Sequence, residues 1–98
     1  MTGIPLRVID APGDRPGVLQ SEWSEFQPGD TWRDPDGLGW AIVLPNRTIW
    51  YSGIASSSGA HWTVTGEAPG LTVHPSINDL DERAPWHGWI RDGYLEPA

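Results

Sequence analysis

Residues 86–96, Trp86-His-Gly-Trp-Ile-Arg-Asp-Gly-Tyr-Leu-Glu96, decide the fold class. Asp92-Gly93 between two short apolar runs is a strong signal for a two-residue hairpin turn, whose central residues both need positive φ. In the first run Trp86, Gly88 and Ile90 share one face of a strand, and His87 and Trp89 share the other. A second hairpin lies upstream. Gly39-Trp-Ala-Ile-Val-Leu44 and Thr48-Ile-Trp-Tyr-Ser52 flank Pro45-Asn46-Arg47, a connection that fits a turn with one left-handed position. His61-Trp-Thr-Val-Thr65 is β-branched and alternating, so it reads as a strand with Trp62 and Val64 inward and His61, Thr63 and Thr65 outward. Leu71-Thr-Val-His74 reads as a short strand stopped by Pro75. Residues 4–9 read as an edge strand, because Pro5 lacks the N–H that a central strand needs.

The rest is punctuation. Glycine and proline number 12 and 10, spaced so that no helix of ordinary length fits between them. Residues 10–17 and the acidic stretch 78–85 read as loops. Residues 21–37 are turn-rich, with Trp23, Phe26 and Trp32 packing inward and room for a single helical turn over 21–26 capped by Ser21. The reading is an all-β chain, a small single-domain meander, barrel or sandwich of short strands. Residues 1–37 form its irregular, loop-rich arm and residues 39–96 its motif-bearing core. A chain of 98 residues has a thin core. Its seven tryptophans, at 23, 32, 40, 50, 62, 86 and 89, are expected to thicken it, with one or two left exposed near His87.

Composition excludes several classes of function. The net charge is −7, lysine is absent, and the six arginines at 7, 15, 33, 47, 83 and 91 are scattered. Such a surface repels phosphate backbones and anionic lipid, so neither nucleic-acid nor membrane binding is expected. It either steers toward a basic protein partner or keeps a tryptophan-rich chain soluble. With no cysteine there is no disulfide and no thiolate site, and with no visible signal peptide the expected location is the cytoplasm.

Side chains able to do chemistry cluster late in the chain. His61, His74 and His87 are spaced thirteen residues apart on three strands or strand ends. Three imidazoles and a water would make an open zinc site if a meander brought them together, although no close pair such as H-x-x-x-H marks one. The alternative is histidines hydrogen-bonded within a tryptophan-lined core. Asp79, Asp81 and Glu82 orient an imidazole, serve as acid and base, or form a solvated loop. Ser56, Ser57, Ser58 and Ser76 are nucleophiles only in principle, since no G-x-S-x-G elbow surrounds them. Ser76, following Pro75, fits a local side-chain-to-backbone turn.

At these same residues the chain resembles a poorly characterised family of small phage and bacterial proteins with a domain of unknown function. The matching elements are His61-Trp-Thr-Val-Thr-Gly66, His74-Pro-Ser-Ile77 and Trp86-His-Gly-Trp-Ile-Arg-Asp-Gly93. The resemblance implies a phage or actinobacterial source. Some relatives resemble zinc proteins that carry cysteine pairs. This chain has Leu44 and Asn46 in that region, which leaves His87 as the one ligand position that matches.

The expected function is therefore that of a small acidic, phage-encoded accessory protein, a module that binds a host protein or a second copy of itself, with counter-defence as one role. Its binding surface would be Trp62, Trp86, His87, Trp89 and Arg91, rimmed by Asp79 and Asp81, and it would have no catalytic mechanism and no cofactor. Three other readings stay open. They are a zinc domain using His61, His74 and His87, a nucleotide binder stacking a base on Trp62 or Trp89 beside Arg91, and a virion component.

Overall fold

The computed structural model describes residues 3–10, 26–34, 37–53, 59, 61–79 and 85–98. Nine short strands form two sheets. They are β1 (Ile4–Pro5), β2 (Arg7–Val8), β3 (Asp30–Arg33), β4 (Trp40–Val43), β5 (Ile49–Tyr51), β6 (Thr63–Thr65), β7 (Thr72–Asp79), β8 (Trp86–Arg91) and β9 (Tyr94–Pro97). One sheet has the order β1-β9-β8-β7-β6 and the other β2-β3-β4-β5. No helix occurs among the described residues. The all-β reading holds, and the architecture is a sandwich. The expected helical turn at 21–26 falls almost wholly outside the described residues.

The expected hairpins form where the turn chemistry places them. Asp92 and Gly93 both take positive φ, 48° and 83°, and join β8 to β9. In the β4–β5 hairpin the left-handed residue is Arg47 at φ 69°. Asn46 serves differently, its side-chain oxygen accepting from both the backbone N–H and the hydroxyl of Thr48. The N-terminal segment is an edge strand twice over. Ile4–Pro5 pairs antiparallel with β9, the chain crosses at Leu6, and Arg7–Val8 pairs parallel with β3. Arg7 also pairs with the buried carboxylate of Asp30 at 2.8 Å, which further accepts the backbone N–H of Gln27.

Two expectations fail. Residues 30–33 lie in the stretch read as turns, yet they form a strand whose Asp30, Thr31 and Trp32 are buried. Pro75 does not stop the strand before it. Instead β7 runs from Thr72 to Asp79 and absorbs the proline in a bulge. Val73 pairs with Ile90 and Ile77 with Gly88. Three residues thus intervene on β7 (74–76) where only Trp89 intervenes on β8. The insertion is two residues, an even number, so the inward alternation survives it and Val73 and Ile77 both reach the core.

The core is more aliphatic than the tryptophan count suggests. Leu6, Ile42, Leu44, Leu71, Val73, Ile77, Ile90 and Leu95 fill the space between the sheets. Trp40, Trp50, Trp62 and Trp86 pack against that cluster half-buried. A second cluster of Trp32, Ala41 and Val43, with Phe26, Ile49 and Tyr51 packed on it, covers the opposite side of β4. Strand spacing explains the division. Two facing sheets about 10 Å apart are filled by branched aliphatics, and indoles are relegated to the margins.

Packing leaves no room for a side chain at Gly88. A Cβ there would collide with the carbonyl oxygen of Glu96 and lie 2.5 Å from the indole of Trp86, which lies across the glycine. Gly88→Ala is therefore expected to destabilise the fold by about 1–3 kcal/mol through overpacking, read as a lower urea midpoint at unchanged slope.

Candidate functional site

The outer face of the five-stranded sheet carries the polar residues of β7 and β8. Asn78 pairs across with His87, so their side chains stand on the same side. Ser76 is two residues along β7, on the same face as Asn78 and diagonal to His87. A diagonal neighbour is about 7–8 Å away between Cα atoms, within reach of a long side chain. The imidazole closes that gap, and His87 Nε2 lies 3.0 Å from Ser76 Oγ. Which atom donates depends on the histidine tautomer.

Neighbouring groups fix both partners. Trp62 Nε1 donates to the backbone carbonyl of Ser76 at 3.2 Å, which pins the bulge from the β6 side. The ring of Trp62 meets that of Trp50 edge-on at 5.4 Å. On β8 the ring of Trp89 lies 5.9 Å from that of His87, tilted by 38°. The guanidinium of Arg91 caps Trp89 from 4.4 Å. His87, Trp89 and Arg91 thus form one stripe at the spacing of alternate strand residues.

The residues read as a binding surface divide accordingly. His87 and Arg91 are exposed and Trp89 half-exposed on that stripe, while Trp62 and Trp86 turn toward the core. Asp79 ends β7 but its side chain lies outside the described residues, as do Asp81 and Glu82. His61 and His74 are exposed, and His74 pairs with Thr63. The expected three-histidine centre is not assembled, since no group of three or more metal-ligating side chains occurs among the described residues. The strand register is the reason: only His87 is brought to Ser76, and His61 stands ahead of β6.

Ser76 is the residue that sequence reasoning passed over. Reading Pro75 as a strand stop removed Ser76 from the sheet, and a nucleophile elbow needs a helix, which does not occur among the described residues. The signal was the alternation Ser76-Ile77-Asn78 beside the alternation Trp86-His87-Gly88. Each places a polar residue outward from an inward one.

A family model described as bacterial ubiquitination-like system serine protease (BubE) matches residues 25–98. No curated protein and no solved structure gives a significant match. The family match overturns the expectation of a phage-encoded accessory module that only binds. It supports a bacterial family, without the phage label. Of the residues read as a docking face, His87 meets a serine that lay outside that reading, and a serine in contact with a histidine is the chemistry that the family's description names. The chain belongs to the BubE family of bacterial ubiquitination-like system serine proteases.

Proposed function

We propose that this chain is a serine peptidase of a bacterial ubiquitination-like system, with Ser76 as nucleophile and His87 as general base. The observation that carries the reading is the 3.0 Å contact between Ser76 Oγ and His87 Nε2, on the solvent face of two adjacent strands. That distance suits a hydroxyl donating to a neutral imidazole nitrogen, the arrangement that activates a serine. The family's description supports it independently.

The steps follow from those two groups. Ser76 Oγ attacks the carbonyl carbon of a protein amide bond while its proton passes to His87 Nε2. The C–N bond then breaks, and the leaving amine takes the proton from the imidazolium. A water attacks the resulting ester, gives its proton to Nε2, and releases Ser76, which recovers that proton. For Nε2 to accept in the first step, Nδ1 must carry the hydrogen. The ring of Trp89 against the imidazole restricts its rotation, and the bond from Trp62 holds the serine's backbone at the same end of the bulge.

A serine-directed fluorophosphonate probe tests the assignment by intact mass and peptide mapping. One adduct on Ser76 is expected, absent in Ser76→Ala and formed about 10²–10⁴-fold more slowly in His87→Ala. An adduct that persists in Ser76→Ala would sink the reading.

Trp62→Phe keeps an aromatic ring, smaller than the indole, but removes the donor to the Ser76 carbonyl. Its expected cost is about 1 kcal/mol in urea unfolding, together with slower labelling of Ser76.

A further inference from the structure

The two sheets part beside Ser76. The gap holds a cavity of about 140 Å³ walled by Leu44, Ile49, Trp50, Trp62 and Ile77, with Thr48 and Asn78 as its polar lining. Three of these residues tie it to the nucleophile. Ile77 and Asn78 follow Ser76 directly, and Trp62 lends its ring to the wall and its Nε1–H to the Ser76 carbonyl. Beyond the Ser76 carbonyl, which takes the Trp62 N–H, the edge of β7 is open among the described residues. Strand β6 pairs only with Thr72, Val73 and His74, so among the described residues no strand covers β7 from Ser76 onward on the side away from β8. An extended segment laid along such an edge sends alternate side chains to opposite faces.

We propose that this cavity is the specificity pocket of the Ser76 site and receives one uncharged apolar side chain, of leucine or methionine size, from the substrate segment flanking the scissile carbonyl. The inference rests on the assignment of Ser76 as nucleophile. Size and lining select the occupant. A space of this volume, walled mainly by apolar side chains and open to solvent on one side, holds about one benzene-sized group. Among the described residues no ionisable side chain lines it, so a charged occupant would be buried without a partner. Among the described residues the buried Nε1–H of Trp50, in the same wall, has no hydrogen-bond partner.

The test uses N-acetyl amino acid p-nitrophenyl esters of glycine, leucine, methionine, lysine and glutamate on the whole chain, alongside fluorophosphonate labelling. The leucine and methionine esters are expected to exceed glycine in kcat/KM by about tenfold or more, with lysine and glutamate no better than glycine. Thr48 stands on the opposite sheet from the Ser76–His87 pair. Thr48→Phe should collapse the leucine-to-glycine ratio, and Thr48→Asp should raise the lysine-to-leucine ratio by a similar factor. Ratios within one variant are insensitive to the fraction of protein folded. A flat profile in the wild-type chain, or ratios unmoved in both variants, overturns the pocket. If Ser76 is labelled in that event, the nucleophile assignment survives alone. If Ser76 is not labelled in the wild-type chain, both fall.

Discussion

The pairing of β7 with β8 is the constraint on which the rest of this structure depends. It must continue past a proline that offers no N–H, and it does so by inserting two residues rather than one. A single extra residue would have turned every side chain after it to the other face, putting Ile77 in solvent and Ser76 in the core. Two preserve the alternation, so Val73 and Ile77 anchor the strand between the sheets while the intervening segment stands clear of them. The exposed Pro75 and the outward Ser76 belong to that clear segment. The irregularity therefore leaves the serine on the face where His87 points, diagonal to it rather than directly opposite.

The remaining contacts of the site support that pairing from both sides. The indole of Trp62 holds the bulge from the β6 flank, and the stripe from His87 through Trp89 to Arg91 runs along β8. Gly88 lets the stripe exist. With no side chain of its own it admits the Trp86 indole and the β9 backbone close beneath, so β8 can lie flat where His87 projects. The tryptophans thus sit mostly at the borders of the core and beside the Ser76–His87 contact. The interior itself is made by the aliphatic residues.

Much of this was legible in the residues and some was not. The Asp92-Gly93 turn, the two hairpins, the edge placement of Pro5 and the opposite faces of Trp86–Ile90 follow from local rules, and each is seen in the fold. The strand at Asp30–Arg33 was hidden because its stability comes from neighbours distant in sequence. Its buried Asp30 is matched to Arg7, and its Trp32 packs on Phe26. The site was half legible. His87 stood out by its aromatic surroundings. Ser76 did not, because its meaning depends on a strand continuing through a proline, and that is decided by the register with β8. Periodicity reads one strand at a time, whereas a dyad built across two strands is a property of their alignment.

The crossing at Leu6 has a mechanical consequence. Five residues of the N-terminal segment serve as the outer strand of both sheets, held by the Leu6 N–H on the Gly93 carbonyl and the Arg7 N–H on the Gly29 carbonyl. The segment is a clasp. A cut, a fusion or a tension that peels it away would bare β9 and β3 together, two hydrogen-bonding rims on one small body. Unpaired rims of that kind are templates for chain-to-chain association, so the few residues farthest in sequence from the dyad guard the protein against its own copies.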